Sequence, residues 1–231
     1  TVMQMIFPEY SIDISNLGGI KANSISMVGN TLGLGVRNKG TITANAALAM
    51  TSYGSLVNEG SINTNGLMAK MASLGDMKNT GTINSTAYVT QLSSVGTLTN
   101  EGTIASSKQI AISATGDLVN AGTMKGTQLL SVASGGNLTT RKGSNTVSDG
   151  QLAVSANNID NAGSMRGNIT YVEFSGDKLK VTGELRGHST LTVQSKKDDK
   201  VNSGLIYNTG SISGNDVTII TNGNLDQEGN I

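Results

Sequence analysis

Apolar and polar residues alternate in short bursts along this chain, and the bursts restart about every 20 positions. Ile110 and Ile112, Leu130 and Val132, Leu152 and Val154, Leu191 and Val193, and Val217 and Ile219 are each separated by one polar or small residue. That period of two predicts a strand with one buried face. Another apolar position, as at Ile14, Val36, Leu56, Met77, Leu98, Leu118, Ile159 and Ile206, stands two residues ahead of an asparagine. Each such asparagine opens the pentapeptide Asn-x-Gly-x-Ile/Met. Its eight copies begin at Asn16, Asn38, Asn58, Asn79, Asn100, Asn120, Asn161 and Asn208. Six positions after the asparagine the side chain is small, as at Ala22, Ala44, Ser85, Ser106, Gly126 and Gly167.

Degenerate copies opening at Arg141, Val181 and Gln227 complete the series. Each unit reads as two or three short strands, too little surface to bury alone. Stacking the units in register solves this, because every apolar slot then lies on the same slot of the next unit. The expected fold is all-β, a right-handed parallel β-helix of about 20 residues per rung and about eleven rungs. It forms a single segment over residues 1–231, with a loop insertion around 196–202. The motif glycine is expected to supply a positive φ at the corner. The asparagine is expected to tolerate that corner and to pass amide hydrogen bonds from rung to rung.

Composition narrows the function classes. Sixteen Lys and Arg balance 16 Asp and Glu, which gives no electrostatic case for nucleic acid or an anionic membrane. The absence of cysteine excludes a disulfide scaffold and a cysteine nucleophile. Aromatic residues are 3% of the chain, so the core has to be built from aliphatics and Met. No apolar run is long enough to span a bilayer as a helix. Thr1 to Tyr10 lack the pattern of a signal peptide, so the chain reads as an internal fragment of a longer one.

Asp13-Ile-Ser-Asn-Leu-Gly-Gly-Ile20, followed by Gly33-Leu-Gly-Val-Arg-Asn-Lys-Gly-Thr-Ile42, resembles the segment just past the secretion domain of the filamentous haemagglutinin family. Repeats such as Gly116-Asp-Leu-Val-Asn-Ala-Gly-Thr-Met124 are similar to that family's haemagglutinin repeats. The resemblance implies a large exoprotein of a Gram-negative bacterium, exported by the two-partner route through an outer-membrane transporter partner. It implies an adhesin or a contact-dependent inhibition toxin carrier at the cell surface. The repeats would form the filament, while receptor or glycan binding and toxicity would reside in other regions. The Asn-Pro-Asn motifs of the family's secretion domain are absent, so transporter recognition is not expected of this segment.

Candidate chemistry is sparse. His188 is the single histidine, and no metal or cofactor is implied. Parallel β-helices include polysaccharide-acting enzymes, so the alternative reading is catalysis by a carboxylate pair. Glu59 and Glu101 share one motif slot two rungs apart, within the range of an inverting pair. A Ser/Thr column through Thr41, Ser61, Thr82, Thr103, Thr123 and Ser144 suggests a flat ice-binding array, but the mixed residues two positions on spoil it. Lys125, Arg166 and Arg186 share one outward slot, with Arg141 expected on the intervening rung. They form a candidate cationic stripe for anionic glycan. The charged run Lys196 to Lys200 reads as a solvated, mobile loop.

Overall fold

The computed structural model describes residues 9–231, so the reading of Thr1 to Tyr10 as lacking a signal peptide lies almost wholly outside the described residues. The fold is an all-β parallel solenoid, with no α-helix among the described residues. One face is a sheet of eleven strands, from Tyr10–Ile14 through Leu98–Asn100 to Leu225–Gln227, which bound ten turns. At the β spacing of about 4.8 Å the stack is roughly 48 Å long. The other two faces form one wrapped sheet of 16 strands. The second face carries the motif's Thr-Ile half, as in Thr103–Ser106, and the third carries the alternating strands, as in Gln109–Ala114. In five rungs, among them Thr41–Ser52 and Ser164–Phe174, a single strand runs through the corner between these faces. Register slips there between Gly167 and Ile169 and between Gly187 and Thr190, so the corner absorbs differences in rung length.

The core follows the apolar slots. Ile42, Ile62, Ile83, Ile104 and Met124 stack in one buried column, with Leu56, Met77, Leu98 and Leu118 in another. The third face contributes Met50, Met71, Leu92, Ile112, Val132 and Val154.

The motif asparagines build an internal ladder. Asn38 Nδ2 donates to Asn58 Oδ1 at 2.8 Å, Asn58 to Asn79 at 2.7 Å, Asn79 to Asn100 at 2.8 Å and Asn100 to Asn120 at 2.9 Å. All five are buried. Asn16 stands outside this ladder. Ile14 pairs with Asn38 and so occupies the slot, while Asn16 is an exposed turn residue. The first motif carries two extra residues ahead of Gly19, which pairs with Thr41. Further along, Thr140 and Val181 take the asparagine slot. Asn161 lies between them in register, and Asn208 follows Val181.

Positive φ among glycines is found at Gly33, Gly66 and Gly143, none of them a regular motif glycine. The motif glycine is required for a different reason. At Gly60, Gly81, Gly102 and Gly122 an added Cβ would overlap the carbonyl oxygen of the glycine one rung earlier. Backbone stacks on backbone at this corner, so rung-to-rung approach selects glycine where the sequence suggested left-handed torsion.

The expected loop at 196–202 is an ordered hairpin. Lys196 pairs antiparallel with Val201, and Lys197 with Lys200. Asp198 and Asp199 turn at φ 50° and 59°, the positive pair that a two-residue hairpin turn demands and that Asp tolerates. Lys196 Nζ lies 3.0 Å from Asp199 Oδ1, which raises the lysine pKa. Asn202 already belongs to the stack, donating from Nδ2 to Ser175 O at 2.9 Å.

Candidate functional site

The repeat is regular from Asn38 to Asn120 and breaks at the next rung. Between Thr140 and Asn145 the chain carries two more residues than a regular corner, with Gly143 at φ 85°. As a result Thr146, not an aliphatic residue, pairs with Met124 in the core column. Thr146 is nevertheless satisfied, because Asn120, its ladder partner gone, donates to Thr146 Oγ1 at 2.9 Å. Ser144 and Ser148 are buried with hydroxyls that have no partner. Ser144 does not join the outward Ser/Thr column, whose member on this rung is Asn145.

The break also sets the outward slot two residues later. Lys125 pairs with Val147, Val147 with Arg166, and Arg166 with Arg186. The three predicted cations therefore share one column. Arg141 is not among them, because it lies in the corner ahead of this face and Val147 occupies the intervening slot. Together with Ser148, Asp149, Asn168 and His188 these residues line an open surface depression of ≈ 370 Å³. Val147 is 8% exposed yet lies outside the core cluster. It forms an apolar floor flanked by the stems of Lys125 and Arg166.

Asp149 lies 3.2 Å from Lys125 Nζ. Arg166 and Arg186 are exposed, and neither makes an ion pair among the described residues. Arg186 Nη2 approaches His188 Nδ1 at 3.5 Å. A guanidinium only donates, so that imidazole nitrogen acts as acceptor. The sequence points to Arg141 close by on the intervening rung, whereas Val147 fills the slot there, and Val147, Ser148 and Asp149 are not singled out by it. The signal was present: Leu138 is the apolar residue that precedes a motif slot by two, which makes Thr140 the slot.

The candidate carboxylate pair is dispersed into ion pairs. Glu59 lies 3.7 Å from Lys39, and Glu101 lies 3.2 Å from Lys78, each pair linking neighbouring rungs. At the first described rung Arg37 grips Asp13 with two hydrogen bonds, of 3.0 Å and 2.6 Å, and stacks over the Tyr10 ring. The hydrogen bonds from Arg37 hold the Asp13 carboxyl below its usual range. No group of three potential metal ligands occurs among the described residues.

Fifty-eight residues of the chain are 41% identical to Toxin CdiA of Yersinia pestis. The match covers 25% of this chain and 2% of that protein's length. No family model matches the chain, and no solved structure matches it. Among the described residues no helix is long and apolar enough to cross a membrane.

Proposed function

We propose that this chain is a stalk segment of a large two-partner-secreted surface protein, an adhesin or contact-dependent inhibition toxin carrier. The observation that carries this reading is the in-register stack that continues through ten turns with a nearly uniform cross-section. A solenoid of this kind converts chain length into reach at about 4.8 Å per rung. The partial likeness to Toxin CdiA supports the same class of parent. In this reading the segment reaches the cell exterior through an outer-membrane transporter and carries receptor-binding or toxic regions outward. It performs no catalysis itself.

The test is excision of whole rungs. Removing residues 61–122 takes out three turns and joins Gly60 to Thr123, which keeps the Gly-x-Ile/Met corner intact. Solution scattering should then show a rod shorter by about 14 Å with an unchanged cross-section. In the longer parent, export and the activity of the terminal regions should persist. Loss of folding on excising an integral number of turns, or hydrolysis of polysaccharide by the purified segment, would overturn the stalk reading.

A further inference from the structure

We infer that Asn65 and Gly66 form a self-modifying site, at which the Gly66 amide nitrogen closes on the Asn65 side chain and converts it, through a cyclic imide, to aspartate and isoaspartate. The inference stands apart from the stalk reading and holds whatever the rod carries.

The freedom of the nucleophile is the first reason. The chain holds two Asn-Gly pairs, Asn65-Gly66 and Asn222-Gly223. Glycine has no Cβ to shield its nitrogen, so by sequence both pairs are open to ring closure. The fold separates them. Gly223 N donates to Thr221 Oγ1 at 2.9 Å and Asn222 Nδ2 donates to Val201 O at 2.9 Å, which holds both the nucleophile and the leaving group. At the other pair, the Gly66 N–H and Asn65 Nδ2 have no acceptor among the described residues, and Gly66 is exposed at φ 89°.

The electrophile is the second reason. Asn65 Oδ1 accepts a hydrogen bond from Thr86 Oγ1, one rung further on. When nitrogen adds to Asn65 Cγ that oxygen becomes anionic, and a hydroxyl already aimed at it binds more strongly as the charge develops. The reaction balances with water as the only co-reactant. The Gly66 N–H proton passes to solvent, the N–Cγ bond forms, the Cγ–Nδ2 bond breaks, and Nδ2 leaves as ammonia. Water then opens the imide at either carbonyl, and no group is oxidised or reduced.

The ladder asparagines are shielded from the same fate. Their motif sets one residue between Asn and Gly, and the N–H of that residue is tied to the rung before. Glu59 N donates to Asn38 O at 2.8 Å, Thr80 N to Asn58 O at 2.9 Å and Glu101 N to Asn79 O at 2.8 Å. The stack also tolerates the product. Isoaspartate lengthens the backbone by a carbon, and Asn65 lies at the corner whose register already slips between Ala22 and Ser24 and between Gly167 and Ile169. The rod thus gains a negative charge at this corner and keeps its rungs.

Timed incubation of the purified 231-residue chain tests the inference. Digestion with pepsin at acid pH stops the reaction, fragmentation mass spectrometry locates each amide-to-acid exchange, and an isoaspartyl methyltransferase labels the isoaspartate. In the folded chain Asn65 should convert at least about tenfold faster than Asn222, and faster still as pH rises, because the attacking nitrogen must lose its proton. In concentrated urea the two pairs should convert at matching rates, since only local sequence then acts. Thr86→Val should slow Asn65 about fivefold, the worth of one hydrogen bond. Circular dichroism verifies that this variant folds, and the converted parent chain should keep its β signal. Conversion of Asn222 or a ladder asparagine at the rate of Asn65 in the folded chain, an undiminished rate in Thr86→Val, or loss of the β signal on conversion would overturn the proposal.

Discussion

Asn79 Nδ2 donates to Asn100 Oδ1 at 2.8 Å, joining residues 21 apart in sequence and one rung apart in the stack. The same nitrogen reaches Gly81 O and Thr103 O at 3.2 Å each, and Asn79 Oδ1 accepts from Asn58. One side chain thereby closes its own corner and ties three successive rungs together.

Asn79→Ala should therefore destabilise the chain by about 3 kcal/mol, because it strands a donor on Asn58 and buried acceptors around the corner. The counterpart is Val181, which occupies the same slot between Asn161 and Asn208. Val181→Asn should stay within about 1 kcal/mol of the parent, while Leu179→Asn, in the buried aliphatic column, should cost about 3 kcal/mol or more. Denaturant titration of the three variants checks the order, and an equal cost for Val181→Asn and Leu179→Asn would refute it.

Gly102→Ala should cost about 3 kcal/mol although glycine's left-handed freedom is not used there. The added methyl would strike the Gly81 carbonyl, so the rungs must separate. By contrast Gly143, at φ 85° with open space around its Cβ position, should accept Asn, which tolerates the left-handed region, at a smaller cost of about 1 kcal/mol. Thermal melting distinguishes the two sites.

Ile104→Asp should destabilise severely, by about 4 kcal/mol or more, since it places a charge in a column that is fully buried. Thr103→Asp, on the partly exposed outward side of the same strand, should cost less than about 1 kcal/mol. Comparable losses in melting temperature would reverse the assignment of the two faces.

Limited trypsin digestion should cut first at Lys197 or Lys200, which flank the exposed hairpin turn. Lys78 and Lys108 lie in regularly stacked rungs and should resist. Early cleavage at either would show that the regular rungs open before the hairpin does.

Tyr171 should titrate late. Burial and a hydrogen bond donated to Glu173 at 2.7 Å push its phenol up to about 12 from the ordinary 10.0. An acid whose folded pKa is raised contributes stability that is complete below the unfolded pKa and lost as pH climbs through the folded one. Stability from this group should thus fall between pH 10 and about 12, and Tyr171→Phe should remove the late step in phenolate absorbance.

Most of the architecture was legible because a solenoid repeats its instructions. Every apolar slot that held across copies, from Ile42 to Ile212 and from Val36 to Ile206, is buried. The errors share one cause: the motif was aligned by its letters, while the fold is aligned by its hydrogen bonds. Asn16 matches the pentapeptide, yet two extra residues let Ile14 take the ladder slot. Arg141 precedes Lys-Gly-Ser, yet Thr140 holds the slot because Leu138 supplies the apolar anchor. The role of the motif glycine was hidden for another reason. Proximity of two backbones one rung apart is a property of the stack and leaves no trace in a single copy. The cationic column was legible in sequence, but the Val147 that interrupts it depended on the shifted register at Gly143.

The strands of this rod lie across its axis, so their hydrogen bonds point along it. Tension applied to the two ends would load only the outermost ladder and peel it open one bond after another. Each detached turn would release about 21 residues, up to roughly 70 Å of slack against 4.8 Å of lost stack. Under pull, the segment would behave as a spool, paying out thread turn by turn and rewinding against the intact face beneath when the load relaxes.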